Sequence, residues 1–366
     1  MSDWISHVYN KEMNAPFIIS SDNEYYSNLR KRYTYFIKLL NNISADRESI
    51  QIAIKYTNKV CEALREYYKG KIGSCHRIIK NLIKGCVSNE LALSDLNDSR
   101  AFPGCRGSEI QFFRARISND ATGYSPQDMV HIPYNLRSVT KSDRFSIPGV
   151  PSLYLSNTSY GCWIELGCPA ERSFHVSPVV LDGKQKVFNL AVMTRDCTQL
   201  NDGDESRVHC WIKLLVLMIA TSYVVEENNR SFKSEYIISQ SVMLACKELQ
   251  YDGVAYYSKR VYSELFSMAA INLALFVDYL PGQNYGEICQ HLKIDESMNY
   301  LFFKQLTAAS TYQDYSLRIV NTPWITNIGN FKHQYKYSET DFYLFDMHLF
   351  GRWSQKDKID WGNVIN

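Results

Sequence analysis

Near residue 101 the hydrophobic period of this chain changes, and the change separates parts that cannot share one kind of secondary structure. Before it, apolar residues recur at helical spacing: Leu29, Tyr33, Phe36, Ile37 and Leu40 share one face, and Ile50, Ala53, Ile54, Val60, Cys61 and Leu64 share another. Ser44 is the expected cap of the second helix. Ser74 is the expected cap of a third, in which Ile78, Ile79, Leu82 and Ile83 face inward and Gly85 is the stop. Beyond residue 101, Gly and Pro become frequent and short apolar runs replace the helical period. Strands are expected at 110–118, 151–156, 185–193, 252–258 and 271–280, and helices at 208–226, 235–249 and 295–308. That order implies an α+β fold, a mixed β-sheet with helices preceded by an all-helical N-terminal bundle.

Three parts follow: a helical N-terminal domain over 1–100, a mixed domain over 101–280 and a C-terminal extension over 281–366. The 366 residues, 45% of them apolar, suffice for a large core. The net charge of +2 marks neither a nucleic-acid-binding nor a membrane-binding chain overall, but the balance is uneven. Residues 22–86 hold 13 Lys or Arg against 6 Asp or Glu. Solvated helix faces explain such a bias ahead of a surface for nucleic acid or an acidic protein partner. The ten cysteines stand singly, with no CxxC pair and no Cys/His spacing suited to zinc, so reduced core thiols and no metal are expected. No secretory signal is visible in MSDWISHVYNKEMN. The longest apolar run, 211–225, contains Lys213 and reads as a buried helix rather than a membrane span, which makes a cytoplasmic location the expectation.

The usual motifs are missing. There is no GxGxxG, no phosphate loop, no GxSxG elbow and no HExxH helix, so those enzyme classes lose weight. What remains is RFSIPGVPSLYLSNTSYGCWIEL, residues 144–166, an apolar stretch that carries Arg144, Tyr154 and Glu165. A guanidinium in such surroundings must find an anion. Pairing of Arg144 with Glu165 is the plain structural explanation; a bound ligand is the other. Two features favour the ligand. The spacing Arg-x9-Tyr-x10-Glu sits in RFSxPGxPxLYLxNxSxxxxxE, and a later YDGVAYYS ends at Ser258.

In this ordered set the chain resembles the RES domain family, named for Arg, Glu and Ser. FFRAR (112–116) matches its first strand, and Arg144, Phe145, Ser146 and Gly149 match its Arg-aromatic-polar turn. Leu153, Tyr154, Leu155 and Glu165 match the next strand and its glutamate, Gly253, Val254, Tyr256 and Ser258 a later strand, and NLALF (272–276) the closing one. The likeness covers about 110–280. It departs from the family in reading Arg-Phe-Ser where Arg-Trp-Asn is usual, and in its long extensions. The N-terminal bundle looks like a HEPN-type domain, but the HEPN ribonuclease motif, Arg followed after four to six residues by His, is absent.

The resemblance implies an ADP-ribosyltransferase-like catalytic domain that consumes NAD as a bacterial toxin or immune effector, as a glycohydrolase or phosphorylase. Cleaving the nicotinamide–ribose bond develops an oxocarbenium-like sugar that a fixed carboxylate stabilises, the role implied for Glu165. Arg144 would grip the pyrophosphate, Tyr154 stack on nicotinamide and Ser258 hydrogen-bond the ligand or Glu165, with Arg114 and Gln240 as further ligand contacts. The sugar is expected to be captured by water or phosphate. The alternatives are transfer of ADP-ribose to a macromolecule, and a non-catalytic binding protein that uses the basic bundle. An antitoxin or regulatory protein and a second copy of the chain are the expected partners.

Overall fold

The computed structural model describes residues 4–8, 10–102, 107, 109–119, 123–192, 205–227, 230–260, 268–279, 282–309, 327–330 and 333–352. The chain opens with β1 (Phe17–Ile19) and three helices, α1 (Tyr25–Asn42), α2 (Arg47–Tyr68) and α3 (Ile72–Lys84). The middle runs β2 (Leu93–Asp95), β3 (Ile110–Ile117), α4 (Pro126–Met129), β4 (Ser152–Ser156), α5 (Ser159–Glu165), β5 (Phe174–Leu181), β6 (Lys186–Asn189), α6 (Glu205–Ala220), β7 (Tyr223–Val225), α7 (Ile237–Glu248), β8 (Gly253–Tyr257) and β9 (Ile271–Phe276). The remainder gives β10 (Leu292–Ile294), β11 (Met298–Asn299), α8 (Tyr300–Ala309), β12 (Asn327–Asn330), β13 (His333–Lys336) and α9 (Asp341–Gly351). The fold is α+β, as expected. Among the described residues no helix is long and apolar enough to cross a membrane.

Two helix starts differ from expectation. Ser44 ends α1 instead of starting α2: its φ is 57°, its N–H donates to Asn41 O at 3.2 Å, and the Ala45 N–H donates to Leu40 O at 3.0 Å, a Schellman closure. The cap of α2 is Asp46, which accepts from the Ser49 N–H at 2.7 Å. Ser74 lies inside the first turn of α3, which begins after Lys71; Gly85 does close that helix. The apolar run 211–225 divides at Thr221 and Ser222. Their hydroxyls bond back to the Leu217 and Met218 carbonyls, and Tyr223–Val225 then pairs in parallel with β1.

Among the described residues a nine-stranded sheet carries the fold, ordered β10-β5-β3-β4-β9-β8-β6-β2, with β11 beside β10 on β5. Among the described strands of this sheet, β6 and β8 pair in parallel and the other pairs are antiparallel. β8 and β9 are covered on both faces, which is why both read as unbroken apolar runs. Val254, Tyr256, Ala274 and Phe276 face the helical side, and Ala255, Tyr257, Leu273 and Leu275 the opposite core. At Gly253 an added Cβ would sit 2.7 Å from Ala274 O, so the close approach of β8 to β9 requires glycine there.

The strand β5 had no counterpart in the sequence reading, because Pro178 interrupts it. The Pro178 carbonyl accepts from Asp295 N–H at 3.3 Å, so its missing donor faces the gap between β10 and β11, where no ladder bond is lost. The helices of the first hundred residues share one buried cluster with α6, α7 and the helical face of the sheet. Tyr25 and Tyr33 donate to the Ala220 and Val216 carbonyls of α6 at 2.8 and 2.9 Å. The eight described cysteines are unpaired, and six are buried.

Candidate active site

A cavity of about 950 Å³ opens between the β4–α5 segment, the strand β7 and the residues following β8. Arg114 of β3 and, from the 144–166 stretch, Arg144, Tyr154 and Glu165 all line it. Ser258 and Gln240 do not. Arg144 and Glu165 are not paired with each other, so the plain structural explanation for Arg144 does not hold.

Glu165 is the last residue of α5, a helix fixed at its other end. The Thr158 side chain caps it by accepting from Gly161 N–H and donates to the Ala269 carbonyl. A Cβ at Gly161 would lie 2.9 Å from Ala269 O and closer still to the Ser156 hydroxyl, so only glycine lets α5 sit this close. Ser159 N–H donates to Asp346 Oδ1 at 3.1 Å, which ties α5 to α9. At the cavity, Asn272 Nδ2 donates to Glu165 Oε1 at 2.6 Å. Asn272 is 2% exposed and stands on β9 opposite both Ser156 and Tyr256; its Oδ1 has no partner.

Arg144 lies on the turn before β4. Its Nη1 and Nη2 donate to the carbonyls of Thr221 and Tyr223 at 2.7 and 2.9 Å, and its guanidinium lies over the Tyr236 ring at 4.9 Å. Two of its N–H groups therefore hold β7 in place. Gln240 works from behind. Its amide nitrogen reaches Ser142 Oγ, Asp143 O and Ser146 O, and so clamps the turn that presents Arg144. Tyr154 serves the same turn: its hydroxyl accepts from Phe145 N–H at 3.2 Å and donates to Ser146 Oγ at 3.3 Å. Burial pushes that phenol well above its ordinary range.

Arg114 is partly buried in β3, donates to Tyr154 O at 3.0 Å, and has a buried Nε with no partner. Burial, then the neighbouring Arg116, lower it to about 10. An incompletely satisfied guanidinium in a cavity wall is costly without an anionic ligand. Ser258 Oγ accepts from Arg260 N–H at 3.2 Å, so it shapes the turn that carries Lys259 and Arg260 to the cavity.

Sequence reading missed Asn272, Lys259, Tyr236 and Asp143, all of which line the cavity. A legible signal existed for Asn272, a lone amide inside INLALF, since a polar residue in a fully buried strand needs a partner. Burial raises the Asp143 carboxyl, against the pull of Lys233 and Lys141. On the far wall Arg230 is paired with Asp22 at 2.6 Å and with Glu235 at 2.8 Å, which brings the segment before α1 to the rim. Among the described residues no cluster of His, Cys, Asp and Glu could hold a metal ion.

The chain matches no protein-family profile. Over 254 residues it is 29% identical to a Bacillus subtilis (strain 168) protein named "Putative toxin YopC", a match covering 63% of this chain and 54% of that protein. The chain thus spans about half the length of the curated relative it matches. Among solved structures, a chain of the M. tuberculosis MbcT-MbcA toxin-antitoxin complex aligns over 62% of this chain and 97% of its own, at 12% identity and a TM-score of 0.33. That likeness is too loose to add to the argument.

Proposed function

We propose that this chain is an NAD-consuming enzyme of the RES type, with an ADP-ribosyltransferase-like catalytic domain, that cleaves the nicotinamide–ribose bond and acts as a toxin. One observation carries the reading: Arg114 of β3, Arg144 of the turn before β4, Tyr154 of β4 and Glu165 of α5 meet around one cavity large enough for a dinucleotide, with Glu165 held in place by Asn272. The toxin named among its relatives agrees with it.

Within this reading Glu165 faces the sugar carbon as positive charge develops, and its hydrogen bond from Asn272 fixes its rotamer beforehand. The N–H groups of Arg144 not spent on β7 and the guanidinium of Arg114 where it lines the cavity donate to phosphate oxygens. The ring of Tyr154, whose hydroxyl is already committed, offers its face to the nicotinamide. Water or phosphate then captures the sugar. The test is to incubate the purified chain with NAD and resolve the products. Nicotinamide release by the wild type and its loss in Glu165→Gln support the reading. Intact NAD overturns it, and ADP-ribose attached to protein or nucleic acid as the main product moves it to transferase chemistry.

A further inference from the structure

Lys259 is the least expected residue of the cavity. It is 5% exposed, lines the same cavity as Arg144, Glu165 and Arg260, and has no carboxylate within ion-pair distance and no side-chain hydrogen bond among the described residues. Burying a lysine without a counter-charge costs free energy that a fold seldom leaves uncompensated. The charged groups that face it are Arg144, on the turn before β4, and Glu165, at the end of α5 and already engaged by Asn272. Arg260, its neighbour in the chain, packs against Gly167 just beyond α5. Around Lys259 the cavity wall is therefore more positive than negative.

We propose that Lys259 is a ligand-binding residue for a phosphate group of the bound nucleotide, the anion that the folded chain itself does not give it. The inference rests on the nucleotide reading above and deepens it, by assigning part of the phosphate recognition to a residue outside the Arg-Tyr-Glu set. With the chain's own charges, burial and then Arg144 lower the amine to about 7, against the pull of Glu165. A phosphate entering the cavity adds negative charge beside it and favours the ammonium form. Binding above neutral pH is then coupled to uptake of a proton at Lys259.

The probe is ADP, which carries the pyrophosphate but not the bond to be cleaved. Calorimetric titration of the full chain at about pH 8, one unit above the value of about 7, in two buffers of different ionisation enthalpy, measures affinity and proton uptake together. The wild type is expected to bind with proton uptake. Lys259→Met, which removes a buried charge and should keep the fold by its melting profile, is expected to bind at least about tenfold more weakly, the scale of one hydrogen bond to a charged group, and without uptake. Lys259→Arg is expected to recover affinity but not uptake, because a guanidinium stays charged. Wild-type affinity or uptake in Lys259→Met, or no ADP binding by the wild type, overturns the proposal. A wild type that binds ADP through Lys259 yet releases no nicotinamide from NAD instead overturns the catalytic reading and leaves this one standing.

Discussion

Asn272 donates from its amide to Glu165 Oε1 at 2.6 Å, across the gap between a buried strand and the end of a seven-residue helix. The bond leaves the second carboxylate oxygen available to the cavity. Replacing Asn272 by Ala frees the Glu165 rotamer without removing its charge. We expect kcat for NAD turnover to fall about ten- to a hundredfold with KM little changed, the effect of losing one positioning hydrogen bond to a charged group. A change confined to KM would place Asn272 in binding instead.

Arg144 holds β7, and under the proposed function it also grips the ligand; one substitution tests both. Lysine keeps the charge but cannot span the Thr221 and Tyr223 carbonyls while also meeting a ligand. Arg144→Lys is expected to lower the stability of the chain by about 1–3 kcal/mol, through carbonyls left without a donor, and to weaken NAD turnover further than that loss explains. Wild-type kinetics alongside a lowered melting temperature would confine Arg144 to holding β7.

Asp346 makes stability depend on pH. It is fully buried, bonded to the Ser159 N–H and the Tyr337 hydroxyl, and burial raises its carboxyl from 3.8 to about 7. The folded chain therefore holds this proton where the unfolded chain has lost it. Its contribution is fully present below about 4 and is lost as pH rises to about 7. Asp346→Asn keeps an acceptor for Ser159 and removes the titration. Its denaturation midpoint should be flatter across that window than the wild type's; parallel curves for the two proteins would refute the assignment.

Particular residues show how much of this was legible. The strands β3, β4, β8 and β9 were readable because their apolar runs are short and bounded, and the ordered motifs they carry made Arg114, Arg144, Tyr154 and Glu165 legible in the sequence. The strand β5 was hidden by Pro178, which is harmless only because of where β10 ends and β11 begins. Ser258 and Gln240 carried the chemical types of ligand contacts, yet their side chains hold turns that present other residues. Lys259 was unreadable for a different reason: nothing in YYSKR tells a lysine buried in a cavity from one in solvent. The helix α9 went unseen because its apolar residues surround it, with Phe345, Met347, Leu349 and Phe350 all buried, so no helical stripe stands out.

The last prediction concerns the first hundred residues. A chain beginning at residue 101 keeps the motif residues but loses the donors to Ala220 and Val216, the strand β1 beside β7, and the Asp22 partner of Arg230 at the cavity rim. It also uncovers α6 and α7, whose buried side chains belong to the same cluster as those of α1–α3. Ten residues of α6 alone are buried. At roughly 1.5–3 kcal/mol for each large apolar side chain returned to water, uncovering even five of them removes about 7–15 kcal/mol, the whole net stability of a typical domain. The truncated chain is therefore expected to lack a cooperative thermal transition and to leave NAD intact, while full-length Glu165→Gln melts like the wild type and is inactive for a chemical reason alone. Calorimetry and nicotinamide release on the three proteins separate the two causes. A truncated chain that unfolds cooperatively and still turns over NAD would make the N-terminal helices a separable module, and the shared core dispensable to the site.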